Sequence, residues 1–315
     1  MCIRDRGYDA RSGLYLRWQG PPVEVPEHPT RDDARAAYDT LAGLFEDFTF
    51  QGDADARRVM LAATVAAILT PLARSAIVGP VPAFVWCADA QLAGKSLMAS
   101  VCGSIALGRA PSVRQYTPDD DEMAKRIAAV AMSGTPLWMI DNIRGHIEGG
   151  ALELTLTAQD TIGVRILGAT VDREMPWRAA TYLTGNGASY SADIARRLLH
   201  IALLSRGRVE GGSTHGTTER TFRHVDLPAY VLEHRPELLR AALVVLRAHL
   251  DAGRPSSGDV LPSFEAWSRI VAHAVWWASG VDPVRARPPE SANRDTDIAR
   301  RMAAFASRVG FMSGS

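Results

Sequence analysis

The chain has 315 residues, of which 47% are apolar and 22% charged, with 35 basic side chains balanced by 35 acidic ones. That suffices for one large or two ordinary domains of a globular protein. Zero net charge excludes a global field that would draw the molecule onto nucleic acid or membrane, so any nucleic-acid contact must come from local arginine placement or from a ring of subunits.

The three cysteines, Cys2, Cys87 and Cys102, show no paired or metal-ligand spacing. The expected setting is a reducing cytoplasm, without structural zinc. No apolar run reaches the roughly 18 residues that span a bilayer, and no signal peptide is visible among Arg4, Arg6, Arg11 and Arg17. The opening MCIRDR reads as a translated sequencing adapter and GYDARSGLYLRWQG as the tail of something longer, so the chain is read as a fragment.

In chain order, GPPVEVPEHPT (20 to 30) is a proline-rich linker. Thr30-Arg31-Asp32-Asp33 caps a helix whose apolar face is Ala34, Ala37, Leu41, Leu44 and Phe45. A second helix, from about Asp53 to Ser75, is apolar almost all round and is expected to be buried. Gly79-Pro80-Val81-Pro82 then turns the chain into Phe84-Val85-Trp86-Cys87, a buried strand.

That strand passes through Ala88-Asp89-Ala90-Gln91-Leu92-Ala93 into Gly94-Lys95-Ser96 and a helix from Leu97 to Leu107. Strand, loop, Gly-Lys-Ser, helix is the layout of a phosphate-binding loop. In that layout backbone N–H groups face an anion, the lysine reaches the outer phosphates and the serine hydroxyl helps hold Mg²⁺. The glycine usual at the position of Asp89 is missing, and Leu92 stands where a flexible residue would help the loop curl. Lys95 and Lys125 are the lysines of this arginine-rich chain. A slim ammonium fits between phosphates where a guanidinium does not.

Asp119-Asp120-Asp121-Glu122 reads as the acidic start of a helix through Met132. Leu137-Trp138-Met139-Ile140 leads to Asp141, a strand ending at a carboxylate of the kind that holds Mg²⁺ opposite a phosphate loop. Gly149-Gly150 opens a short helix to about Leu156, and Ile162 to Leu167 reads as an edge or hairpin strand. From Trp177 a further apolar strand ends in Thr184-Gly185-Asn186, where an amide could orient an attacking water. Ser191 to Arg197 makes a capped helical turn that leads into a strand, Leu198 to Leu204. After a glycine-rich loop (206 to 223) the chain is helical at Leu227 to Glu233, Pro236 to Ala252 and Phe264 to Ser279, with a last linker and helix running out near Phe311.

These motifs, in this order, resemble the ring-forming superfamily-3-type AAA+ helicases, especially the ATPase domains at the C-terminal end of phage and plasmid primase-helicases. The resemblance covers roughly Asp47 to Trp277 and rests on DFTF (Asp47 to Phe50), LTPLAR (Leu69 to Arg74), GKS, MIDN, TGN, DIARR and EHRPELLRAAL (Glu233 to Leu243). It implies an α/β fold: a P-loop NTPase core of AAA+ type, three-layered around a parallel sheet, flanked by N-terminal and C-terminal helical regions. The implied division is a preceding segment and linker (1 to 30), N-terminal helices (31 to 82), the ATPase core (83 to 207), a C-terminal helical region (208 to 284) and a linker with a terminal helix (285 to 315).

By position, the resemblance implies that Asp89, Ala90, Gln91, Leu92, Ala93, Gly94, Lys95, Ser96 and Leu97 cradle ATP, with Ser96 and Asp141 on Mg²⁺. Asp141 and Asn142 would stand at the Walker B acid and the position after it, Asn186 at the first sensor. Arg196 or Arg197 would be the finger that reaches the adjacent subunit. Asn142 stands where many ATPases have a glutamate base, leaving the base to Asp141 or a carboxylate elsewhere. The implied partners are single-stranded DNA, other copies in a homo-oligomeric ring such as a hexamer, and a primase domain, with no membrane. The DNA-facing segment is expected between Asp141 and Gly168, with Arg144, His146 and Arg165. A P-loop ATPase of a mobile element that remodels or regulates without unwinding DNA, and a degenerate scaffold without turnover, fit the same motifs.

Overall fold

A computed structural model describes residues 2–3, 7–9, 14–16, 22–88, 93–165, 172–205, 223–289 and 292, with side chains from residue 22 onward, residue 172 excepted. Four short strands come first. β1 (Cys2–Ile3) pairs with β4 (Val23–Glu24), and β2 (Gly7–Asp9) with β3 (Leu14–Leu16), all antiparallel.

Helix α1 (Arg31–Ala42) begins at a reciprocal cap: Thr30 Oγ1 accepts from Asp33 N–H, and the Asp33 carboxylate accepts from Thr30 N–H at 2.8 Å. Hydrogen bonds donated by Thr30 N–H and Thr30 Oγ1 hold the Asp33 carboxyl below its ordinary range. Helix α2 (Ala54–Ala73) starts at Asp53, whose side chain accepts from Ala56 N–H. It is long and apolar enough to cross a membrane by length and composition, yet 78% of that stretch is buried inside the fold.

Pro71 inside α2 has no N–H, so the carbonyl of Ala67, four residues earlier, loses its helical partner. The Tyr182 hydroxyl fills the gap, donating to Ala67 O at 2.6 Å from the central sheet. Tyr182→Phe therefore leaves a buried carbonyl unpaired, a loss of about 1–3 kcal/mol that a urea unfolding midpoint reads. In a Pro71→Ala background a helical N–H returns, and the same substitution costs less. Equal costs in both backgrounds would show that the hydroxyl does not stand in for the missing donor.

The central sheet is parallel and five-stranded. Its members are β5 (Ala83–Ala88), β6 (Val113–Gln115), β7 (Leu137–Ile147), β10 (Ala180–Tyr190) and β11 (Leu198–Leu203), in the order β11-β5-β10-β7-β6. Between β7 and β10 lie a short helix, α5 (Gly150–Thr157), and an antiparallel hairpin, β8 (Thr161–Arg165) with β9 (Asp172–Pro176), and one helical turn, α6 (Ala192–Ala195), leads from β10 to β11. Burial on both faces explains why β5 reads as one apolar run. Phe84 and Trp86 join one core with α1, α2, α3 (Lys95–Leu107), α8 (Arg235–Asp251) and α10 (His273–Ser279). Ala83, Val85 and Cys87 join the other with α4 (Asp120–Ser133), α5 and β8. Helix, sheet and helix make three layers, the α/β architecture expected of a P-loop NTPase core.

On the first face Phe84, Trp86, Tyr182 and Trp267 meet mostly edge to face, and Trp267 Nε1 donates to Thr70 Oγ1 at 2.9 Å. Trp267 closes α9 (Glu265–Trp267), which continues through a π turn (Ser268–Ala272) into α10. Helix α3 presses closely on the sheet: a Cβ at Gly103 would stand 2.4 Å from Pro111 Cγ and 2.7 Å from Leu137 Cδ2. Arg235 closes the other end of α3, donating to the carbonyls of Ile105 and Ala106 at 3.0 Å each. It begins α8, directly after α7 (Leu227–Glu233) and its C-cap His234.

Two expected strand ends need correction. β7 does not stop at Asp141 but runs to Ile147, and β10 runs past Asn186 to Tyr190. The ladder between them slips twice, first between Leu183 and Gly185 and again between Asn186 and Ser189. Extra residues on one side bend a ribbon. This one leaves the sheet edge and curls over one face, so that the Tyr190 hydroxyl lies 2.9 Å from Cys87 Sγ on β5.

Candidate functional site

Parallel strands all present their C-terminal ends at one edge, where loops can converge. β5 ends at Ala88, and after the undescribed residues 89–92 the chain re-enters at Ala93 and begins α3 at Lys95. Asp89, Ala90, Gln91 and Leu92, expected to cradle phosphate, thus lie outside the described residues. Gly94 is the N-cap in the left-handed region, φ 82°, with no side chain capping the helix. By contrast α1, α2, α4 and α7 are capped by Thr30, Asp53, Asp119 and Asp226. A first turn without a side-chain cap has backbone N–H groups to offer an anion. Gly94 is also required sterically, because a Cβ there would stand 2.7 Å from Phe48 Cε1. Phe48, in the DFTF segment, therefore covers this turn. Ala93 is buried, whereas Leu97 and Ser96 are exposed.

Lys95 is only 8% exposed at the first position of α3. Its charge acts on Cys87, whose thiol burial pushes up to about 11 against the opposing pull of the Tyr190 hydroxyl and Lys95.

Ser96 Oγ donates to Asp141 Oδ1 at 2.5 Å, joining the start of α3 to β7. Across the sheet, Asn186 pairs in register with Ala88 of β5 and Arg144 of β7. The structure thus brings Lys95, Ser96, Asp141 and Asn186 to one edge, although about ninety residues of chain separate the first from the last. Asn186 Oδ1 is buried and finds no donor among the described residues. Such an acceptor costs about 1–3 kcal/mol until water or a ligand satisfies it.

A serine hydroxyl and a carboxylate in contact are hard oxygen donors of the kind Mg²⁺ takes, with phosphates and water completing its shell. The residues present fit such an ion. Among the described residues no group of three or more His, Cys, Asp or Glu side chains is placed to hold a metal. Two of the aspartates at the start of α4 are otherwise engaged. Asp119 Oδ1 accepts from Glu122 N–H at 3.0 Å, and Asp120 Oδ1 accepts from Ala151 N–H at 2.9 Å at the start of α5.

Asn142 has φ 57°, in the left-handed region that asparagine tolerates better than most residues. Its side chain is an exposed amide, unable to accept a proton as a glutamate would. Thr184, which stands in the TGN motif but had no role assigned to it from sequence, joins the group. Thr184 is fully buried on β10; its hydroxyl donates to Asp141 Oδ1 and accepts from Asn142 N–H at 3.0 Å.

Arg196 and Arg197 stand elsewhere. Arg197 O accepts from Ala83 N–H at the start of β5, the opposite edge of the sheet. Five strand steps of about 3.3 Å separate them from the phosphate loop, beyond the reach of an arginine side chain of the same subunit. The two also differ from each other. Arg197 is 12% exposed and donates to Asp193 O at 2.7 Å, whereas Arg196 is 63% exposed and among the described residues its guanidinium pairs with the Asp193 carboxylate alone. On the bent ribbon Arg144 is exposed, and His146 Nδ1 lies 3.0 Å from Ser189 Oγ. Arg165 is exposed at the end of β8.

No family model and no curated protein matches this chain. Among solved structures, "The A form apo structure of NrS-1 C terminal region-CTR" is similar over 78% of this chain and 56% of its own length, with 13% identity and a TM-score of 0.41. "The A form apo structure of NrS-1 C terminal region-CTR(305-718)" gives 75%, 53%, 10% and 0.39. This chain therefore spans about half the length of these structures, and a likeness at this level carries no argument about what the chain does.

Proposed function

We propose that the chain is an ATP-hydrolysing motor domain that moves along single-stranded DNA, as part of a helicase in phage or plasmid replication. One observation carries the reading: Lys95, Ser96, Asp141 and Asn186 meet at a single edge of a parallel sheet, beside a helix N-terminus with no side-chain cap. Positive charge and oriented N–H groups on one side of the edge suit a polyphosphate, and the hydroxyl–carboxylate pair suits its cation.

In this reading the N–H groups of α3 and the Lys95 ammonium bind the outer phosphates and stabilise charge that develops on the transferred phosphoryl group. Ser96 and Asp141 would hold Mg²⁺, which when bound neutralises phosphate charge. Asn186, with its unsatisfied carbonyl oxygen, orients the attacking water. Asn142 cannot take that water's proton, which leaves the base to Asp141 or to a carboxylate elsewhere. Arg196, exposed at the opposite edge, completes the site of a neighbouring copy in a ring. Arg165 on the β8–β9 hairpin and Arg144 on the ribbon supply local positive charge for a DNA backbone, which the balanced overall composition does not.

The test is ATP hydrolysis with and without single-stranded DNA. Wild type is expected to turn over ATP faster with DNA, and Lys95→Ala to abolish turnover under both conditions. Stimulation by a protein partner but not by DNA would favour a remodelling ATPase. Full activity of Lys95→Ala would remove the phosphate loop from the mechanism.

A further inference from the structure

We propose that Thr184 is a positioning residue for Asp141: through one buried hydroxyl it fixes the carboxylate that takes the cation and holds open the bulge on which that carboxylate sits. The inference rests on the functional reading above. It assigns a role to a residue that the TGN motif contains but that the phosphate-loop, carboxylate and sensor roles do not use.

The register shows why a side chain is needed here. Leu183 of β10 pairs with Ile140 of β7, and Gly185 pairs with Ile143. Two residues of β7, Asp141 and Asn142, therefore face the single residue Thr184, and the regular ladder cannot serve both. Asn142 turns to φ 57° to accommodate the excess, and its N–H would have no strand partner. Thr184 Oγ1 accepts that N–H at 3.0 Å and spends its only proton on Asp141 Oδ1. On its other side Thr184 keeps its register with Trp86 of β5, the strand that leads into the phosphate loop. The hydroxyl thus refers the carboxylate to the same strand that positions Lys95.

Ser96 donates to the same oxygen, Oδ1, so both hydrogen bonds orient the carboxylate from one side and leave Oδ2 uncommitted by either. The two donors differ in what they can do next. Ser96 is exposed and can turn its lone pairs to a cation, whereas Thr184 is fully buried with both its obligations inside the protein. Outer partners that orient a metal-binding carboxylate typically change metal affinity or activity by about 10–100-fold when removed.

The experiment titrates Mn²⁺ into the full chain with a fluorescent ATP analogue and reads nucleotide binding, not turnover. Thr184→Val keeps the shape and removes both hydrogen bonds. It is expected to raise the Mn²⁺ concentration at half-saturation about 10–100-fold, while metal-free nucleotide binding stays as in wild type. Thr184→Ser keeps the hydroxyl and is expected to restore the wild-type titration. In an Asp141→Asn background Thr184→Val is expected to add nothing, because the group through which it acts is gone. A folded Thr184→Val chain that titrates like wild type, or one that weakens binding equally in the Asp141→Asn background, overturns the role. If the valine chain does not fold, a Thr184→Ser chain that fails to restore the titration overturns it as well. Wild type that binds no nucleotide, with or without Mn²⁺, overturns the functional reading and this inference with it.

Discussion

Arg196→Ala is expected to lower ATP turnover by about 10³–10⁵ while ATP binding persists, because an arginine finger acts on charge that appears in the transition state. The placement selects this residue from the pair. Arg197 is anchored to the carbonyl of Asp193 and largely buried, so Arg197→Ala should lower stability by about 0.5–3 kcal/mol and turnover only in proportion to unfolding. Arg196 is held by one exposed ion pair, which is worth little and is easily exchanged for a phosphate. Neither arginine can reach its own phosphate loop, since Arg197 O is bonded to the first residue of β5 and the loop follows the last. The effect must therefore cross an interface, and mixing shows it. Arg196→Ala and Lys95→Ala chains, each inactive, should regain about a quarter of wild-type activity in randomly mixed rings, where an intact Lys95 meets an intact Arg196. Mixed rings as dead as their parents, or an Arg196→Ala variant that loses binding along with turnover, would rule the finger out.

The sheet's buried strands were legible because two-sided burial leaves a plain apolar run: FVWC, LWMI and LLHIAL stand where β5, β7 and β11 are found. Legible too were Lys95, through the Gly-Lys-Ser at a helix start, and Asp141, because it follows an apolar run, although β7 continues past it to Ile147. What escaped depends on partners rather than on local pattern. β6 is three exposed residues, Val113 to Gln115, on the open edge of the sheet and carries no apolar signature. The hairpin strand β9, Asp172 to Pro176, is polar for the same reason, whereas its partner β8 alternates exposed and buried positions and reads as a strand. The continuation of β7 through Arg144, Gly145 and His146 looks like a loop in sequence. It becomes a strand only because β10 follows it around two slips of register. The role of Thr184 belongs to this class: the TGN motif shows the threonine, but not the bulge opposite it that leaves one N–H and one carboxylate to be held.

The same bent ribbon makes the fold sensitive to acid, and here His200 sets the expectation. It lies on β11 with its ring edge-on to Tyr190, 6.2 Å between centroids, and burial pushes its pKa down from 6.5 to about 4. Above pH 6.5 the imidazole is neutral in both folded and unfolded chains, and it contributes no slope. Between pH 6.5 and about 4 the unfolded chain takes up a proton that the folded chain refuses, so stability falls with falling pH. The shift corresponds to about 3 kcal/mol, a large share of the 5–15 kcal/mol that holds a domain together. Below about pH 4 the folded chain protonates as well, and this contribution to the slope ends. His249 is lowered in the same direction, chiefly by burial, and adds to the fall. Asp33 and Glu265, held below their ordinary range by hydrogen bonds, are exposed and lose their stabilisation only at more acid pH. Urea unfolding at pH 7 and pH 4.5 should therefore show most of the loss in wild type and much less in His200→Leu, whose side chain has no proton to take up. A wild-type chain equally stable at both pH values, or a leucine variant with an unchanged loss, would remove His200 as the cause. Tyr190, against which the imidazole rests, ends the strand that carries Asn186 and Thr184. In the folded chain the imidazolium forms in that contact only below about pH 4, and there the ability of the folded chain to bind nucleotide with Mn²⁺ should fade.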